Sequence, residues 1–190
     1  IDGVSDGQPI TRAGRFSHEA VTLDPKHGIL YETEDDFQIP SGFFRYVPGA
    51  NPMETGRLDN DGRLQMLAVK GQPSANLGAA QRPRATYDVD WIDIDDPAPS
   101  FPYTPGETAP TSNLDAISFV ARQGFAQGAA KFSRLEGSIY DDGIVYFTST
   151  QGGGQPEATD NDPAGWGNGA GQIWAYDTNA ERLQLLYESP

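Results

Sequence analysis

The chain has 190 residues, 13 basic against 27 acidic side chains, a formal net charge of −14 and 37% hydrophobic residues, a length that suits one domain with its own core. That charge repels polyanions, so nucleic acid is not an expected partner; it suits a protein that holds hard divalent cations on carboxylates, and equally one that holds no ligand. With no Cys there is no disulfide, zinc-thiolate or thiol-nucleophile chemistry, and no apolar run reaches the length of a membrane span.

The chain opens at Ile1 without a basic and then apolar leader, so any targeting signal is expected to be removed or to lie outside these residues. Gly3-Val4-Ser5-Asp6-Gly7 matches the spacing of a nucleophile elbow but has no strand before it and no helix after it, and reads as a flexible start. Strands are predicted from there on: Ala20–Leu23, Gly28–Thr33, Gly42–Val47, Leu64–Val69, Val89–Ile94, Ile144–Ser149, Gln172–Tyr176 and Leu183–Tyr187. Each is short, rich in β-branched or aromatic residues, and bounded by Gly, Pro, Asn or Asp.

Between them, Asp24–Gly28, Asn60-Asp61-Gly62 and Asp141-Asp142-Gly143 are predicted to be hairpin turns able to supply positive φ. Glu34, Asp35 and Asp36 close a strand with three acids, which fits either a calcium-binding turn or a solvated one. Asp59-Asn60-Asp61-Gly62 starts like a calcium loop but lacks its later Glu, and reads as a turn. The acids from Asp88 to Asp95 change phase between Asp90 and Asp93, which predicts a bulged strand. Gly71–Thr86, Asp95–Asn113 and Gly152–Gly171 read as long loops over one face, and Gly152-Gly153-Gly154, with no Lys-Ser or Lys-Thr after it, is not a phosphate-cradling loop. Ala116–Ala130 has room for a helical turn or two.

The strongest signal is a repeat. Phe16-Ser17-His18-Glu19, Gly28–Thr33, Gly42–Arg45 and Arg63–Leu67 are echoed in the same order by Phe132–Glu136, Gly143–Thr148, Gly171–Trp174 and Arg182–Leu186. Four antiparallel strands per unit is the pattern of propeller blades around a channel. The class is all-β, a β-propeller, with residues 1–190 forming part of a single domain and repeat units at about 14–70 and 130–188. The copies lie roughly 115–130 residues apart, beyond the ~40–50 of one blade, so insertions or a degenerate third blade near Tyr87–Ile94 fill the gap. Two or three blades cannot close a ring, so the remaining blades are expected from residues or chains outside this sequence.

In a propeller the innermost strand of each blade lines the channel, which places Glu19 and Glu136 near a shared pocket. Two carboxylates about 5 Å apart repel by about 3 kcal/mol at an effective dielectric of about 20, and a shared proton or a cation must relieve this; the plainer reading is that each bonds backbone at a blade entrance. Arg134, two residues before Glu136, falls on the same face of a strand and could grip a phosphate or carboxylate in a fork, or merely pair with Glu136. His18 has no metal-spaced partner and reads as a structural hydrogen-bonding residue.

Gly14–Ala20 and Phe132–Gly137, with Asp24-Pro25, Gly28–Asp35, Val145–Gly153, Gly171–Trp174 and Leu185–Ser189, resemble in order the PhoX-type bacterial alkaline phosphatases. The resemblance implies a six-bladed propeller that holds calcium and iron, hydrolyses small phosphomonoesters and is exported to the periplasm or secreted for phosphate scavenging. It implies Glu136 as a metal ligand, Glu19 as a further ligand, and Arg134 as the catalytic residue that contacts phosphate. Two family features are missing, an iron-binding Cys, since this sequence has none, and the later blades, which would follow Pro190; the expectation is a fragment covering roughly two to three blades, the alternative a relative that has lost the complete site. The alternatives are a calcium-stabilised propeller that binds a partner without catalysis, and a related propeller hydrolase of other esters.

Overall fold

A computed structural model describes residues 7–158 and 165–190. Residues 3–6 of the segment read as a flexible start lie outside the described residues. A 3-10 turn at Thr11–Ala13 leads into β1 (His18–Asp24), β2 (Ile29–Glu34) and β3 (Phe43–Val47). A short helical turn, α1 (Pro52–Thr55), precedes β4 (Arg63–Val69), β5 (Thr86–Asp93) and α2 (Asn113–Ala126). Then come β6 (Leu135–Asp141), β7 (Ile144–Ser149), the ribbon of β8 (Pro156–Glu157) and β9 (Trp166–Gly167), β10 (Gln172–Asp177) and β11 (Arg182–Glu188).

Nine strands form one antiparallel sheet in the order β1-β2-β3-β4-β5-β11-β10-β7-β6, with β8 and β9 paired separately. β1–β4 make one four-stranded meander, and β6, β7, β10 and β11 make another. β5 joins them through their outer strands, pairing Val69 with Val89 on one side and Leu183 with Tyr87 on the other. The gap between the two echoed units is therefore filled by insertions and this bridging strand, not by a third blade. At the other ends of the meanders β1 and β6 pack together, with Thr22 Oγ1 donating to Ser138 Oγ at 2.8 Å.

The aromatic residues dictate how the meanders face each other. Tyr31, Phe43, Leu67 and Val89 interleave with Phe132, Val145, Phe147, Trp174 and Leu183, and the Phe43 and Phe147 rings stack at 4.2 Å. On the opposite face of the first meander, Phe16, Phe44, Leu64 and Met66 pack with Val120 and Ala121 of α2. β3 and β4 are thus buried on both faces, which explains their continuous apolar runs without alternation.

α2 is longer than the helical turn or two expected. Its start is fixed by Ser112, whose hydroxyl accepts from the Asp115 amide, and its buried side carries Ala116, Ser118, Val120, Ala121 and Gly124. Gly124 lies against Met66, where a Cβ would collide with the sulfur. Small residues at a close contact give a weak periodic signal in sequence, which is why the pattern predicts less helix than forms.

Two more expectations fail for local reasons. β5 runs in unbroken register against β4 from Gln65–Asp93 to Val69–Val89, so its acids change phase without a bulge. Asn60-Asp61-Gly62 ends a longer connection, residues 48–62, that contains α1. There Asp59 accepts from the Gly49, Ala50 and Asp61 amides, so its carboxylate closes a loop instead of facing an ion. Asp142-Gly143 is the tight hairpin foreseen, with φ of +42° and +88°.

Glu32 is buried on β2 with Oε2 unpaired, and burial alone pushes its pKa up from 4.5 to about 8. Because the folded-state value is raised, the native protein holds this proton where the unfolded chain releases it. The contribution to stability is complete below about pH 4.5 and is lost as pH rises to about 8. Glu32→Gln is expected to gain several degrees of Tm at pH 9 and little or nothing at pH 5. Thermal unfolding of both proteins across that range reads the difference, and a gain that does not grow with pH contradicts the assignment.

Candidate metal centre

Both inner strands carry a register shift where their acid sits: β1 between His18 and Val21, enclosing Glu19, and β6 between Leu135 and Ser138, enclosing Glu136. A bulge re-aims a side chain out of strict alternation, and here the two re-aimed acids meet. Asp35, just past β2, joins them. One carboxylate oxygen from each of Glu19, Asp35 and Glu136 lies within 4.8 Å of the others. Glu19 is exposed while Asp35 and Glu136 are half-buried, so the group opens to solvent on one side.

Backbone bonds hold Asp35 and Glu136. The Asp35 amide donates to Ser17 O at 3.0 Å, which ties the end of β2 to the entry of β1. Thr33, fully buried, donates its hydroxyl to Glu136 O at 2.6 Å and so pins the β6 bulge to the first meander. Alternation along residues 32–36 sends Glu32, Glu34 and Asp36 into the interior and turns Asp35 toward β6. The solvated-turn reading of Glu34–Asp36 is corrected on this point: Glu34 is fully buried with Oε2 accepting from the Gly42 amide, and Asp36 bonds the Gln38 and Ile39 amides.

Arg134 stands beside the acids. Its Nε and Nη2 donate to the two oxygens of Asp35 at 2.8 and 2.7 Å, and Nη2 lies 3.5 Å from Glu136 Oε1. It precedes β6 in a left-handed conformation, φ +51°, so it reaches Glu136 from a turn and not through strand alternation. The Thr150 amide donates to Arg134 O at 2.8 Å, and Ser149 Oγ donates to Ser133 O. Ser133 Oγ in turn donates to Gly167 O at 2.6 Å, docking the β8–β9 ribbon behind the arginine.

Burial raises the Glu136 pKa, and Asp35 and Glu19 raise it further, against the opposing effects of Arg134 and Thr150. The bond to Asp35 raises that of Arg134. A carboxyl that resists ionisation beside two other acids gains from a cation placed among them. Three carboxylates against one guanidinium leave −3 + 1 = −2 at full ionisation, the charge one divalent ion balances. All-oxygen ligation suits calcium; the chain has no thiolate to offer a softer metal.

The sequence-predicted residues Glu19, Glu136 and Arg134 are thus brought together. His18 stands apart from the acids: its ring stacks on Phe16 at 3.7 Å and Nε2 meets Gly14 O at 3.1 Å. The sequence marks Asp35 only as one of three acids at a strand end, and the structure adds it to the group.

A family model described as Alkaline phosphatase PhoX matches residues 2–189. No curated protein matches. Among solved structures, that of Pseudomonas fluorescens PhoX in complex with vanadate, a transition state analogue, is similar with a TM-score of 0.60 and 18% identity. The match covers 92% of this chain and 31% of that one, so the chain spans under a third of that protein's length. At this identity the likeness establishes the fold, part of a propeller.

Proposed function

Because the chain belongs to the alkaline phosphatase PhoX family, we propose that it contributes part of the active site of a metal-dependent phosphomonoesterase. The observation that carries this reading is the convergence of Glu19, Asp35 and Glu136 beside Arg134. Residues 14–70 and 130–188 are two blades of a single propeller domain, and the ring is completed by further blades. The substrate is a small phosphomonoester, and the protein works in the periplasm or outside the cell, scavenging phosphate.

In this reading Glu136, Glu19 and Asp35 hold calcium. Iron belongs to the proposed cofactor set as well, and among the described residues this group offers it carboxylate oxygens. Bound cations supply Lewis-acid polarisation of the phosphoryl group. The protein's own residues do the rest. Arg134 meets the charge that develops on the transferring group with fixed N–H donors, and Thr33 and Thr150 hold the backbone around Glu136 and Arg134 so that neither group has to reorganise. An acidic protein otherwise repels a dianionic ester, so chelation is expected to abolish turnover.

The test is hydrolysis of a chromogenic phosphomonoester by the full-length protein, with and without chelator, alongside metal analysis. Activity that is lost on chelation and restored by calcium, in a protein that also holds iron, supports the proposal. A protein that holds calcium alone and turns over no ester points instead to a calcium-stabilised binding propeller.

A further inference from the structure

Asp35 does more than add a third carboxylate. Its two bonds to Arg134 run through Nε and Nη2, the side edge of the guanidinium, and commit that edge to the protein. The Nη1 donors and the second Nη2 hydrogen then lie on the far edge, directed away from Asp35, with Glu136 Oε1 3.5 Å from Nη2 and no hydrogen bond between them. Asp35 is itself held, its amide on Ser17 O and its side chain only 11% exposed, while Arg134 is fixed at its carbonyl by Thr150 and covered on one face by Phe37 at 5.7 Å. These contacts restrict a side chain that has four rotatable bonds. After both bonds each Asp35 oxygen keeps a lone pair, so the same carboxylate can also face a cation.

We propose that Asp35 is a positioning residue that acts through Arg134: it fixes the guanidinium so that its free edge receives a phosphoryl oxyanion end-on, and it links that arginine directly to the metal group. The proposal rests on the phosphatase reading above. It assigns a residue of the first meander to orient an arginine of the second. Phosphate affinity therefore depends on how the two meanders are docked.

A double-mutant cycle tests it, reading the Kd of inorganic phosphate by calorimetry on full-length protein in saturating calcium. Asp35→Asn keeps the size of the side chain but presents an amide N–H to one arginine nitrogen, breaking the fork. Its phosphate Kd is expected to rise about 10–100-fold, the range for removing an orienting partner. In an Arg134→Ala background, which weakens binding by itself, Asp35→Asn is expected to add less than about 2-fold, because the group it orients is gone. Asp35→Glu, which keeps both acceptors, should recover part of the loss. Equal effects of Asp35→Asn in both backgrounds overturn the proposal and leave Asp35 as a metal ligand only. A wild-type protein that binds no phosphate overturns the phosphatase reading and this proposal with it.

Discussion

Glu136→Gln is expected to lower kcat/KM by about 10²–10³-fold or more, because it removes one of three converging charges at the centre where charge develops. Bound metal should fall with it. The substitution takes the group from −3 + 1 = −2 to −2 + 1 = −1, so a divalent cation loses both a ligand and part of its field. Stability is expected to move the other way. Glu136 is disfavoured as a carboxylate first by burial and then by Asp35 and Glu19, and a neutral amide escapes both. Thr33 bonds the backbone at Glu136 and not the side chain, so the bulge survives the change. In chelator, Tm of Glu136→Gln should therefore equal or slightly exceed that of wild type. An active, fully metallated Glu136→Gln protein contradicts the assignment; a variant that is inactive and also melts early assigns Glu136 a structural role.

Arg134→Ala is expected to cost a similar factor in kcat/KM, also about 10²–10³-fold, with the opposite effect on metal. Loss of the guanidinium takes the group from −2 to −3, so cation affinity should hold or rise while phosphate binding falls. The pair of variants separates the two roles: both inactive, one depleted of metal and the other replete. Arg134→Lys should recover little, since an ammonium cannot reproduce the fork on Asp35. The backbone adds a further check. A non-glycine residue at φ +51° carries strain of order 1 kcal/mol, which glycine avoids. Arg134→Gly should be as inactive as Arg134→Ala yet the more stable of the two by about that amount, and thermal melts of the two compare them directly.

Much of the site was legible because two of its residues come from a repeat. Glu19 and Glu136 hold matching places in units with the same strand order, and matching places on inner strands point at a common axis whatever the details of packing. Strand alternation predicts Arg134 beside Glu136, and the two do lie close, but the residue sits in a left-handed turn fastened by Ser149 and Thr150 and not in the strand. Asp35 stands out in the sequence only as one of three acids at a strand end, because its pairing with Arg134 depends on which side of that end faces another strand far along the chain. The bulges on β1 and β6 were not foreseen, and the one expected in β5 is absent. A bulge is set by how partner strands register, and the residues of one strand do not specify that.

By itself, the sequence determined the strand content, the repeated order of the strands, the acidic balance and the family, because each is written in local residue types or in their recurrence. The tertiary structure decided that β5 stitches two meanders through their outer strands and that α2 covers the first meander. It also decided that Asp35 swings from a run of buried acids to hold Arg134. These are long-range choices, fixed by aromatic packing between faces and by single bonds such as that from the Thr33 hydroxyl to Glu136 O, which ties the β6 bulge to the first meander.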